Sequence, residues 1–318
     1  IDNFSKKNCE KNIEKQILTD LRGSQKRISS TFFYDEKGSK LFEEITKLPE
    51  YYLTRTEMPL IEQAAEYLKD RLRNVDIIEF GSGDCTKISI LFDVIPEYHR
   101  VSICYIPFDI SSSAIQKSSQ VLHKKFPEIR IHGIVADFMT QLNRIPMTSK
   151  KVICFLGSTI GNFSRDHAKK FVSNISTIMQ PGDLLLLGFD MVKDKAIIEH
   201  AYNDSENLTG QFNKNILSVV NTLVDTDFNP DDFNHVAFYN EHLSRIEMHL
   251  KATKDVTILS SKVSTAIHIK KDETIHTENS HKFTSDHIRQ LATNANLKIE
   301  HVFTDEKNWF SLAVLRKP

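Results

Sequence analysis

With 318 residues, 41 basic and 42 acidic side chains and a net charge of −1, the chain has room for one large domain and a smaller one, and needs no disulfide or metal to hold a core. The balanced charge argues against a polyanionic partner such as nucleic acid or an anionic membrane, and for a small, nearly neutral substrate. No apolar run approaches the roughly 20 residues of a membrane helix, the first residues are polar and charged rather than a secretory signal, and Cys9, Cys85, Cys104 and Cys154 lack C-x-x-C spacing. A cytoplasmic protein with buried, reduced thiols is therefore expected. Because the chain opens on Ile1, its natural N-terminus is expected to lie upstream.

In chain order, residues 10–21 and 39–48 read as amphipathic helices able to cap a site. Short apolar runs follow at 76–80, 101–108, 129–136, 151–156 and 184–189, most of them ending in Gly, Asp or Ser. Between them, residues 112–126 and 165–179 carry apolar positions at three- and four-residue intervals. This alternation predicts an α/β fold around a parallel, doubly wound sheet, with ligands at the carboxyl ends of its strands. From about 195 to 286 the rhythm breaks into a polar helical stretch around 203–224 and alternating runs such as 245–250 and 262–269, which read as an inserted substrate-binding unit. A helix at 285–295 and strands at 299–304 and 310–315 then return to the main sheet. The expected division is 1–60 as the helical part of a smaller α+β substrate domain, 61–194 as a Rossmann-like cofactor domain, 195–286 as the insertion and 287–318 as the return.

The strongest local signal is EFGSGDCTK at 79–87, placed directly after a strand and before a helix. Gly81 and Gly83 let the backbone turn sharply and approach a ligand closely, since neither carries a Cβ. Asp109 ends the next strand, where an acid can accept from both hydroxyls of a ribose. Asp137 and Phe138 follow the third strand, where a carboxylate suits an adenine amino group and a ring suits the base face. A plain turn or helix cap is the other reading of each residue taken alone. Thr86 stands where a dinucleotide motif has its third glycine, and no phosphate-binding G-x-x-x-x-G-K-[ST] occurs. Taken jointly, the residues describe a site for S-adenosylmethionine.

TFFYDEKGSKLFEEITKLPEYYLTRTE at 31–57, PFDIS at 107–111, ADF at 136–138, FLGSTIGNF at 155–163, FDMVKD at 189–194 and HTENSHKF at 276–283 complete a pattern covering nearly the whole chain. It resembles the histidine-specific methyltransferase family of ergothioneine biosynthesis, which has a class I (Rossmann-like) methyltransferase fold. Leu53 departs from that pattern, in which many relatives carry proline after the paired tyrosines. The resemblance implies Gly81, Lys87, Asp109, Asp137 and Phe138 for S-adenosylmethionine, with S-adenosylhomocysteine as product. For free L-histidine it implies Tyr51, Gly157, Asn162, Tyr202, Met248, Glu278 and Ser280. Asn162 and the Tyr202 phenol suit a carboxylate without adding a cation beside a sulfonium; Glu278 and Ser280 together suit the two edges of an imidazole. Met248 is equally well read as core filler.

Methyl transfer from a sulfonium is a direct displacement, so the protein mainly aligns the amine, with Tyr34 and Tyr51 expected to orient it or to pass its proton on. The implied activity is Nα-trimethylation of histidine to hercynine. The rival readings are transfer to another amino acid or small amine, and a non-catalytic S-adenosylmethionine-binding regulatory module. His132, His235, His242 and His268 show no ligand spacing, so no metal is expected. No protein partner is implied, and a monomer is compatible with the sequence.

Overall fold

The structure, a computed structural model, describes residues 1–4, 9–147, 149–260 and 263–318. The chain separates into two compact units, one of Ile1–Lys6, Leu53–Val192 and Lys282–Pro318, the other of Lys7–Tyr52 and Lys193–His281.

In the first unit a nine-stranded sheet runs Asp2–Asn3, Ile134–Val135, Cys104–Asp109, Val75–Phe80, Lys150–Phe155, Leu184–Asp190, Phe310–Arg316, Lys298–Thr304, with Arg130–Ile131 beside Cys104–Asp109. The pairings are parallel up to Leu184–Asp190, whereas Phe310–Arg316 runs antiparallel to both its neighbours. Val75–Phe80 and Leu184–Asp190 are buried at every position, as a parallel sheet covered on both faces requires. Alternate residues feed opposite cores. Ile78, Phe80, Ile153 and Phe155 pack with Phe171 of the Arg165–Ile178 helix and Leu291 of the Ser285–Asn294 helix. Ile77, Tyr105, Val152 and Cys154 pack with Ile61 and Ala65 of the Tyr52–Leu68 helix and Leu91 of the Thr86–Asp93 helix. The doubly wound class I architecture expected from the sequence is thus present.

Three local expectations need correcting. The single strand expected at 129–136 is two short pieces broken at His132 and Gly133. A Cβ on Gly133 would meet Ile115 Cγ2 at 2.5 Å, so the backbone there is drawn against the Ser112–Lys125 helix instead of continuing as a strand. The strand expected from residue 101 starts at Cys104, because Val101 and Ser102 form a turn and Val101 is 72 % exposed. The 17-residue helix Tyr52–Leu68 was not anticipated, since Pro59 in its interior reads as a breaker. Burial of Leu60, Ile61, Ala64, Ala65 and Leu68 offsets the hydrogen bond lost at the proline.

The second unit holds a four-stranded sheet in the order Lys26–Arg27, Thr274–His281, Arg245–Ala252, Phe233–Asn240, and a hairpin of Val256–Ser260 with Val263–Ile269. Lys262, the first residue of the run expected at 262–269, lies outside the described residues. The Leu208–Val224 helix buries Phe212, Ile216, Leu217 and Val220. The Glu36–Ile45 helix starts three residues earlier than expected because Asp35 caps it, accepting the Gly38 N–H at 2.7 Å while also accepting Asn215 Nδ2 at 2.8 Å. A Cβ on Gly38 would lie 1.7 Å from the Phe33 carbonyl oxygen, so this turn admits glycine alone.

Cys85, Cys104 and Cys154 are free and buried. Desolvation raises all three thiols, that of Cys85 to about 11, which keeps them protonated and inert. The Cys9 side chain lies outside the described part of the structure. Among the described residues no helix is long and apolar enough to cross a membrane.

Candidate functional site

Adjacent parallel strands of the first unit deliver Gly81, Asp109, Asp137 and Gly157 at or just beyond their carboxyl ends, where ligands of such sheets collect. Gly81 and Gly83 adopt φ of +71° and +48°, and a Cβ on Gly81 would have nothing within 4 Å. The glycines therefore serve the backbone turn and leave open space above it. The Gly81 N–H donates to the Phe108 carbonyl at 3.0 Å, which seats the turn beside Asp109. Cys85 also has a left-handed backbone, and Asp84 accepts the Thr86 N–H and hydroxyl at 3.1 and 2.8 Å, starting the next helix without the third glycine.

Burial raises the Asp109 carboxyl, while backbone N–H groups of Ser111, Ile110 and Ser82 act in the opposite direction; the Ser111 bond is 2.9 Å. Asp137 accepts the Met139 N–H and the Thr140 hydroxyl, each at 2.8 Å. The turn reading of Asp137 is therefore realised, with lone pairs remaining on both oxygens. Phe138 packs between the rings of Phe80, Phe155 and Phe171, with centroids 5.7–5.8 Å away.

Two acids that sequence reasoning passed over complete this half. Glu57, fully buried, accepts the Gly157 N–H at 2.7 Å and pairs with Lys87 Nζ at 2.6 Å. Gly157 has φ +76°, and a Cβ on it would stand 2.9 Å from Lys87 Nζ; a Cβ on Gly188 would stand 2.6 Å from Glu57 Oε1. Gly157, expected to serve the amino acid, is thus tied to Lys87, expected to serve the cofactor. Glu79 accepts the Tyr105 hydroxyl at 2.6 Å. Desolvation lifts it from 4.5 to about 8, against the lowering effects of Tyr105 and Lys87 and with the help of Asp84 and Asp109. Asn162 ends a short 3₁₀ turn, Thr159–Asn162, in the same unit.

The second unit carries the remaining candidates. Met248 stands opposite Glu278, and Ile246 opposite Ser280, on neighbouring strands, so Met248, Glu278 and Ser280 share one sheet face. All three are buried, with Glu278 8 % exposed. The Tyr34 phenol is raised above its ordinary value first by desolvation, then by the charges of Glu278 and Tyr202. Since 46 % of Tyr34 remains accessible, its effect on neighbouring groups is softened by solvent, and it acts as a protonated donor. Tyr34, Tyr51 and Phe212 surround the Phe42 ring at centroid distances of 5.7, 6.1 and 5.9 Å. Tyr202 is buried, and its carbonyl is 2.8 Å from His235 Nε2. The unit thus gathers Tyr34, Tyr202 and Glu278, with Tyr51 one ring away.

The glycine turn and the strand-end acids were legible because turn chemistry is local. Glu57 was not, because its partner Gly157 lies 100 residues away; a glutamate at the end of a recognisable segment carries no local mark of being buried. Comparison with known proteins adds four findings. Residues 13–317 match the model of the family described as histidine-specific methyltransferase, SAM-dependent. A histidine N-alpha-methyltransferase of Mycobacterium tuberculosis is 33 % identical, over 96 % of this chain and 95 % of that one; ergothioneine biosynthesis protein 1 of Schizosaccharomyces pombe is 28 % identical, over 92 % of this chain but 39 % of that one. The solved structure of a mitomycin 7-O-methyltransferase superposes with a TM-score of 0.51 at 11 % identity, covering 96 % of this chain and 67 % of that one, a likeness of fold.

Proposed function

The chain belongs to the histidine-specific, S-adenosylmethionine-dependent methyltransferase family, and from that premise we propose that it methylates the α-amino group of free L-histidine three times, yielding hercynine. The observation that carries the substrate is the buried pair Glu278 and Ser280 on one strand face, with the Glu278 charge acting on the Tyr34 phenol. A carboxylate accepts an imidazole N–H, and a hydroxyl serves the other ring nitrogen. An indole, with one donor and no acceptor, would leave Ser280 unmatched.

S-adenosylmethionine supplies a methyl group on a cationic sulfur. The residues of the first unit fit it: open backbone above Gly81, a desolvated carboxylate at Asp109 for ribose hydroxyls, and spare lone pairs on Asp137 beside the Phe138 ring. Lys87, held by Glu57, is assigned to the same ligand's carboxylate end.

On the amino-acid side Tyr202 donates its hydroxyl to the substrate carboxylate, and Asn162 is kept as a second donor on the resemblance alone. The substrate amine, with an ordinary pKa of roughly 8, is partly neutral at physiological pH. Little general-base help is required, and Tyr34, kept protonated by its surroundings, orients the amine rather than deprotonating it. Tyr51 and the Gly157 carbonyl are assigned to the same orienting role. Because ring and carboxylate are gripped away from the amine, each methylated product can be held again for the next round.

Mass spectrometry of the purified chain with S-adenosylmethionine and each amino acid in turn tests the reading. Histidine gaining three methyl groups, with kcat/KM falling about 10- to 100-fold in Glu278→Gln, is expected for loss of one charge-assisted hydrogen bond. Methylation of another amino acid in preference would overturn the substrate, and no turnover on any amine would favour a binding module.

A further inference from the structure

The second unit's sheet carries a different set of polar groups on the face opposite Glu278. A register shift between Met248 and His249 makes Thr277 an extra residue, so that His276 rather than Thr277 comes level with His249. Glu247 pairs with Asn279 on the same strands. The bulge thereby lines up Glu247, His249, His276 and Asn279 on one face, while the Thr277 hydroxyl is taken up by Asn213 Oδ1 at 2.7 Å and the Met248 carbonyl at 3.0 Å.

We propose that Glu247, His249 and His276 form a binding site for one first-row divalent cation of zinc's class. Among the described residues they are a group whose donor atoms all lie within 4.8 Å of one another. His249 Nε2 is 3.2 Å from Glu247 Oε2. Ligands about 2.1 Å from a tetrahedral metal stand roughly 3.4 Å apart, so this pair is already at coordination spacing. Oε2 is the oxygen left for a metal, because Oε1 accepts Arg245 Nε at 2.9 Å and Asn240 Nδ2 at 3.0 Å.

Orientation around the three is also of the kind that metal ligands receive. Asn279 Oδ1 lies 3.0 Å from His276 Nε2; since an amide oxygen only accepts, Nε2 carries the proton and Nδ1 presents a lone pair. The Phe238 ring stacks on His249 at 5.4 Å and 17°, fixing its plane. His249 is 7 % exposed and among the described residues its Nδ1 has no hydrogen-bond partner, so with Nε2 on the metal the Nδ1 proton has no protein acceptor, one reason for modest affinity. The nearby Arg245 opposes a cation, so the site should bind less tightly than closed structural zinc sites. Two imidazoles and one carboxylate with a partly exposed His276 leave the fourth position to water.

The test uses the full chain, stripped with EDTA and titrated with ZnCl₂ by calorimetry and with Co²⁺ by visible absorption. One equivalent should bind, with tetrahedral cobalt bands; His249→Gln and His276→Gln should each weaken binding at least 100-fold, and Asn279→Ala about 10- to 100-fold. The exposed His242→Ala should leave the affinity unchanged. Circular dichroism of the metal-free variants checks folding, and Asn279→Ala carries the test if a histidine variant does not fold. No stoichiometric binding, or binding that survives His249→Gln and His276→Gln in folded protein, would overturn the site.

Discussion

Glu79 shows how a single buried carboxyl makes stability depend on pH. Its folded pKa, about 8, lies above its ordinary 4.5, so the folded state holds the proton more tightly. Its stabilising contribution is complete below about 4.5 and is lost as pH rises through about 8. Glu79→Gln, which keeps the shape and an acceptor for the Tyr105 hydroxyl but cannot ionise, should flatten the fall in melting temperature between pH 5 and 9; parallel melts that decline equally would contradict this. Residues of this kind mark the edge of what the sequence discloses. Asp109 stands at a strand end that an apolar run reveals, so its placement was readable, whereas nothing local marked the burial of Glu79. The Glu57–Lys87–Gly157 constellation, by contrast, depends on a helix returning to a strand end 100 residues on. The assignment of His249 and His276 to one face depends on a bulge that no alternation pattern encodes.

At the scale of elements, the start of the Glu36–Ile45 helix explains why the FFYD-x-x-GS segment has its form. Asp35 caps the helix, and Gly38 passes so close to the Phe33 carbonyl that a methyl group would overlap it. Gly38→Ala should destabilise the protein by more than about 3 kcal/mol in chemical denaturation. Leu53, in the first turn of the Tyr52–Leu68 helix, is the opposite case. Backbone N–H groups there have no partner within the helix, so Leu53→Pro removes no helical hydrogen bond and trades the buried leucine for a smaller apolar ring. Its melting temperature should stay within a few degrees of wild type, and a collapse would show that the turn before the helix cannot adapt. The parallel strands were legible because full burial makes their apolar runs nearly continuous. The Tyr52–Leu68 helix was not, because local propensity at Pro59 and tertiary burial point in opposite directions and burial prevails. The strand at 129–136 failed for the converse reason, a tertiary contact at Gly133 interrupting a locally favourable run.

Across the whole molecule, chain connectivity weaves each unit from separate stretches. In the first unit, Lys282 opens the C-terminal stretch with a fully buried ion pair to Asp190 at 2.7 Å. Its carbonyl accepts Arg165 Nη2 at 2.6 Å, and Arg165 lies 4.6 Å over the Phe283 ring. Lys282→Met would remove the buried cation that faces Asp190 and should cost about 3–5 kcal/mol, read as a shift in the denaturation midpoint at constant slope. A shift under 1 kcal/mol would mean that this ion pair contributes little to stability. The Phe310–Arg316 strand, which follows Lys298–Thr304 in the chain, sits inside the sheet between Leu184–Asp190 and Lys298–Thr304. Until residues 310–316 have been synthesised that slot is empty, and one edge of Leu184–Asp190 stays unpaired and apolar. Completion of the sheet must therefore wait until synthesis has passed residue 316, which makes the nascent protein a natural client for chaperones that shield strand edges.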